Sequence, residues 1–89
     1  MSSLHTAPEW SLLIYRVRDD VHQQKILHAF RRVAKLGITV LGTQEGADRF
    51  VIVDCETTAL EEHARRIILR IDADARQVLR SRTDATPAG

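Results

Sequence analysis

The chain has 89 residues, 44% of them apolar and 28% charged, a composition that fits one small globular domain and excludes a disordered protein. Thirteen basic and twelve acidic residues give a net charge of +1, so no overall field favours nucleic acid or an anionic membrane. No stretch approaches the roughly 20 apolar residues of a membrane span, and no signal-peptide pattern is present. Since Cys55 is the only cysteine, we expect a cytoplasmic protein without disulfides.

Two flexible tails are predicted to flank a single domain. Residues 1–9 are mostly small and polar and include a proline, and residues 83–89 show no periodicity. The predicted domain therefore covers residues 10–82.

The domain is predicted to begin with a strand and a helix. Trp10–Val17 is apolar on both alternating faces, which is typical of a central strand. A helix is predicted over Val21–Leu36, with an apolar stripe at helical spacing. Asp20 and Gln23 have the spacing of a helix-capping box at its start.

Gly37 marks the predicted junction between this helix and the second strand. A glycine directly after a helix favours the left-handed conformation that ends it. The strand Ile38–Leu41 then follows, and a polar, glycine-bearing segment over residues 42–48 predicts a hairpin to the apolar strand Arg49–Cys55.

A second helix is predicted to begin at Thr58, which has the spacing of another capping box with Glu61. Its apolar stripe comprises Leu60, Ala64, Ile67, Ile68 and Ile71. Residues 75–81 fit either a last edge strand or a continuation of the helix.

This element order predicts an α+β fold, a ferredoxin-like βαββαβ sandwich. Such a fold has a four-stranded antiparallel sheet with two helices on one face. Its central strands are the first and the third, which are the two most apolar strands predicted here. The fold prediction thus agrees with the hydrophobicity of the strands.

Leu36-Gly37-Ile38-Thr39-Val40 and the later strand Phe50-Val51-Ile52-Val53-Asp54 resemble ACT-type regulatory domains. The resemblance covers Trp10 to Ser81 loosely, through element order. It implies a dimer that binds a small effector near the loop after the first strand. Here that loop carries no glycine, and the ligand-binding residues implied are Arg18, Asp19, Asp20 and His22.

The apolar character of both central strands predicts that one sheet face remains open in a monomer and serves as an interface. We expect a homodimer, or a complex with another protein, that covers this face. The residues assigned to the open face are Leu13, Tyr15, Val17, Val51 and Val53.

The motifs of catalysis are missing from the sequence. There is no phosphate-binding glycine loop, dinucleotide fingerprint, serine elbow or carboxylate pair. His22 and His28 are six residues apart and lack the spacing of a metal pair, and Cys55 is interpreted as a buried thiol. We therefore predict a non-catalytic regulatory or interaction module without metal or cofactor.

Single-stranded nucleic acid is the alternative ligand, because RNA-recognition domains share this topology and stack bases on the central strands. Four aromatic residues are few for a stacking platform, so this partner is not the favoured one. The residues that would contribute to it are Tyr15, Phe50, Arg16, Arg49, Arg76 and Arg80.

Overall fold

A computed structural model describes residues 10–83; the predicted tails, apart from Thr83, lie outside these residues. Two α-helices, one 3-10 helix and four strands make up this part of the chain. They are β1 (Trp10–Val17), α1 (Asp20–Phe30), a 3-10 helix (Arg31–Leu36), β2 (Ile38–Glu45), β3 (Asp48–Cys55), α2 (Leu60–Ile71) and β4 (Arg76–Thr83). The single predicted helix over Val21–Leu36 is thus an α-helix that tightens into a 3-10 helix after Phe30.

The four strands form one antiparallel sheet in the order β2-β3-β1-β4. The first and third strands are therefore central, as predicted. The segment that the sequence left open is strand β4, which pairs with β1 and shifts register between Ile14 and Tyr15. The fold is α+β, with a four-stranded antiparallel sheet and two helices, and is compatible with a ferredoxin-like arrangement.

The helices cover the sheet face that was assigned to the interface, so that assignment of the open face was wrong. Leu13, Tyr15, Val17, Val51 and Val53 are between 0% and 5% exposed and belong to the core. The register places them on one face, where they pack with apolar residues of both helices. Those helix residues include Ile26, Phe30, Ala64 and Ile68.

The start of each helix also differs from its predicted capping box. Asp19, not Asp20, caps α1, and its carboxylate accepts a hydrogen bond from the backbone N–H of His22 at 2.9 Å. Helix α2 begins after Ala59 without a side-chain cap, so the box of Thr58 and Glu61 is not formed. The side chains of Asp20, Gln23 and Glu61 instead contact residues that are distant in the sequence. The spacing of a capping box does not reveal such contacts.

Gly37 ends the 3-10 helix in the left-handed conformation, as predicted, with φ at 92°. A Cβ atom at this position would lie 2.8 Å from the side-chain carboxyl carbon of Glu56. The positive φ therefore favours glycine where the chain turns into β2, whereas the exposed Glu56 side chain can move aside.

Candidate interaction surface

The sheet face that the helices leave uncovered is called the open face here. Four aliphatic residues lie opposite one another across its strands: Leu41 faces Ile52 on β3, Ile52 faces Ile14 on β1, and Ile14 faces Leu79 on β4. We call these residues the aliphatic row. Its two ends, Leu41 and Leu79, are 64% and 43% exposed, so an apolar band crosses the whole sheet on the surface.

One flank of the aliphatic row contains an aromatic ring and two arginines. Phe50 faces Arg16, and Arg16 faces Arg76. Arg16 is neutralised by the Asp48 carboxylate, 3.0 Å from its guanidinium. Arg76 takes part in no ion pair within residues 10–83, so this flank holds a cation that is free to meet an acidic group.

The other flank of the row contains an acid. Asp54 is exposed and faces Leu12 on β1 and Thr39 on β2. Like Arg76, it forms no ion pair with any other described residue. The open face is therefore apolar along its middle, with Arg76 on one flank and Asp54 on the other, both unpaired among the described residues; the first flank also carries Glu45, which faces Asp48.

The loop predicted to bind a ligand lies at one end of β1, and its charged side chains are paired within the chain. The Asp19 carboxylate also lies 2.6 Å from Nδ1 of His22. The hydrogen bonds that this carboxylate accepts from His22 lower the pKa of Asp19. Asp20 lies 3.2 Å from the guanidinium of Arg49. Arg18 forms an ion pair with Asp74. These residues are brought together, but each is engaged in an internal contact.

Asp72 anchors this loop and was not singled out by sequence reasoning. Its carboxylate, which is fully buried, accepts hydrogen bonds from the backbone N–H groups of Arg18 at 2.8 Å and Asp74 at 3.0 Å. The pattern Asp-Ala-Asp after a helix indicates the local bond to Asp74. The contact with Arg18, 54 residues earlier, has no local signal.

A second polar cluster joins α2 to the outer strand on the covered side of the sheet. Glu61 accepts hydrogen bonds from the hydroxyl of the buried Ser11 and from two nitrogens of Arg80, at 2.7 and 3.1 Å. The Glu61 carboxylate raises the pKa of Arg80. Arg80 is thereby committed to a structural contact.

Cys55 lies in the core, where burial raises the pKa of its thiol to about 11. The thiol is therefore protonated at neutral pH and is a poor nucleophile. Within residues 10–83, no cluster of three or more histidine, cysteine or acidic side chains is arranged to hold a metal ion. No helix in that range has the length and apolarity needed to cross a membrane.

The residues suggested for nucleic-acid binding do not come together on one surface. Tyr15 is 3% exposed beneath the helices, whereas Phe50 lies on the open face. Arg49 pairs with Asp20, and Arg80 pairs with Glu61. Of the proposed phosphate contacts, Arg16 and Arg76 share a face with Phe50.

Comparison with protein-family models, curated proteins and solved structures gives no match for this chain. The geometry described above is therefore the basis for assigning a function. Its most distinctive feature is the aliphatic row on the open face.

Proposed function

We propose that this chain is a non-catalytic ferredoxin-like (βαββαβ) interaction module that forms a homodimer through its open face. The observation that carries this proposal is the aliphatic row, which extends over all four strands on the uncovered side of the sheet. Burying an apolar surface of this kind is the main driving force of protein association. A second copy of the chain supplies a surface of the same shape and polarity.

The size of the open face suits a small dimer. Four strands spaced about 4.8 Å apart, each about 26 Å long for eight residues, present roughly 500 Å² per copy. Two such faces bury about 1,000 Å² together, which reaches the lower limit of specific interfaces.

The charges on the two flanks favour one symmetry. A two-fold axis parallel to the aliphatic row places each residue of the row over its own counterpart in the partner copy. The same axis lays the flank that contains Arg16 and Arg76 over the partner flank that contains Asp54. In this arrangement Asp54 lies over the partner's Phe50 and one strand away from the partner's Arg16, and this diagonal attraction favours the orientation of the two sheets.

The effector site implied by the resemblance to ACT domains receives less support from the geometry than the open face does. The charged side chains of Arg18, Asp19 and Asp20 all have internal partners. An effector at this loop would have to replace those contacts. We therefore place the function on the open face, and a regulatory role would be exerted through dimerisation.

One observation favours the alternative of single-stranded nucleic acid: Phe50, Arg16 and Arg76 lie side by side on the open face. A base could stack on Phe50 while the arginines contact phosphates. This function predicts binding of a labelled oligonucleotide with an affinity that falls steeply as salt rises and falls further in Arg76→Ala. Dimerisation through the open face predicts no oligonucleotide binding, because the partner copy covers the aliphatic row and both of its flanks.

The test of dimerisation is sedimentation equilibrium over a concentration series, with three variants alongside the wild type. Leu41→Glu and Leu79→Glu put a charge at either end of the row, and we expect both to be monomeric where the wild type is dimeric. Leu36→Glu is the matched control, since Leu36 is 54% exposed and lies in the 3-10 helix away from the open face. A monomeric wild type, or a dimer unchanged by both row variants, would refute the proposal.

A further inference from the structure

Strand β2 forms one edge of the sheet and lacks the features that protect edge strands. Its first six residues, Ile38–Thr43, include neither a proline nor a charged residue. The opposite edge, β4, contains Arg76 and Arg80 and a register irregularity, which are common means of preventing further strand pairing. The backbone of β2 is therefore the edge that is available to an additional strand.

An apolar groove runs beside this edge, between β2 and the helical segment that precedes it. Its volume is about 360 Å³. The lining side chains include Leu27, Phe30 and Ala34 from the helices and Ile38 and Val40 from β2. A strand added to β2 would direct alternate side chains into this groove, because successive residues of a strand point to opposite faces.

The rim of the groove is basic. A second concavity of about 460 Å³ shares Leu27 and Arg31 with the first and is also lined by Lys25 and His28. The sequence contains no acidic residue between Lys25 and Lys35. Within residues 10–83, neither Lys25 nor Arg31 forms an ion pair, so both cations are available to a ligand.

These charges decide between two occupants of the β2 edge. A second copy of this chain, paired edge to edge, would place its Lys25 and Arg31 beside Lys25 and Arg31 of the first copy. Like charges placed together oppose association. A segment rich in aspartate or glutamate would instead be attracted. The occupant is therefore an acidic segment of another protein.

We propose that the β2 edge binds an extended acidic peptide as a fifth strand of the sheet. Backbone hydrogen bonds to β2 supply affinity, apolar side chains fill the groove, and acidic side chains meet Lys25 and Arg31. This peptide site borders the open face, because Leu41 at the end of the aliphatic row also lines the groove, and it goes beyond the proposed dimer. It gives the module a second partner without a change in its fold.

Selection from a library of random octapeptides displayed on phage tests this proposal, with the wild-type chain as bait. We expect enrichment of peptides that alternate apolar residues with aspartate or glutamate. A synthetic enriched peptide, measured by fluorescence anisotropy, should bind Arg31→Glu about ten-fold more weakly than wild type. Arg70→Glu is the matched control, because Arg70 is an exposed arginine of α2, and it should bind like wild type.

Two further measurements separate strand addition from attraction of charge alone. N-methylation of alternate backbone nitrogens of the peptide should abolish binding in one of the two registers, because it removes the donors that pair with β2. The monomeric Leu79→Glu variant should still bind the peptide, which keeps this site distinct from the dimer. The proposal is overturned by selection of peptides without acidic residues, by equal losses in Arg31→Glu and Arg70→Glu, or by the absence of any enrichment.

Discussion

The buried carboxylate of Asp72 accepts a hydrogen bond from the backbone N–H of Arg18 at 2.8 Å and so joins the α2–β4 turn to the end of β1. Asp72→Ala would remove the acceptor of this N–H and of the N–H of Asp74, and a hydrogen bond to a charged group contributes about 1.5–3 kcal/mol, less where water can replace the acceptor. We expect the free energy of unfolding in urea to fall by about 2–4 kcal/mol. Asp74→Ala is the control, since that side chain is 72% exposed; equal effects of the two variants would contradict this role.

Gln23 joins two strands from the helix side. Its side-chain nitrogen donates hydrogen bonds to the carbonyl oxygens of Thr43 on β2 and Phe50 on β3, at 2.9 and 2.8 Å. Gln23→Ala removes both bonds and leaves a small cavity, so we expect a loss of about 2 kcal/mol in urea unfolding. Gln24→Ala changes an exposed neighbour of the same type and should alter stability little. A wild-type midpoint in Gln23→Ala would show that these bonds contribute nothing.

The cap of α1 should make stability depend on pH in acid. The pKa of Asp19 is lowered by its hydrogen bonds to His22, so its stabilising contribution is present above the ordinary carboxyl pKa of about 4. That contribution is lost as the pH falls through the lowered pKa. The difference in urea midpoint between wild type and Asp19→Ala should therefore be largest near neutral pH and vanish in strong acid. A difference that does not change with pH would show that the carboxylate charge is not involved.

Cys55 should be unreactive in the folded protein. Burial raises its thiol pKa to about 11, so both access and thiolate content are low at pH 8. We expect modification by Ellman's reagent only after unfolding in urea. An engineered surface cysteine away from the open face, such as Leu36→Cys, should react rapidly in the same folded background. Fast modification of wild-type Cys55 would show that the core opens readily.

The order and pairing of the strands could be predicted, but the face of the sheet that the helices cover could not. Leu12 and Ile14 on one side of β1 are as apolar as Leu13 and Val17 on the other, so alternation alone does not distinguish the faces. Only the register with β3 and the position of the helices show that the second set is buried.

The polar contacts show the same limit. The spacing of Asp20 and Gln23 matches a capping box. The side chain of Gln23 is nevertheless buried, and it donates hydrogen bonds to two carbonyl oxygens that lie 20 and 27 residues further along the chain. Partners so distant in sequence leave no local pattern. The anchoring role of Asp72 was missed for the same reason.

Chemical crosslinking at the ends of the aliphatic row tests the proposed dimer most directly. With a two-fold axis parallel to the row, Leu79 of one copy faces Leu79 of the other, so Leu79→Cys alone should form a covalent dimer with a short bis-maleimide. Leu36→Cys should form no covalent dimer, and the buried Cys55 should not interfere. Crosslinking only between Leu79→Cys and Leu41→Cys would contradict the proposed axis, and no crosslink at either position, or an equal yield from Leu36→Cys, would contradict a dimer through the open face.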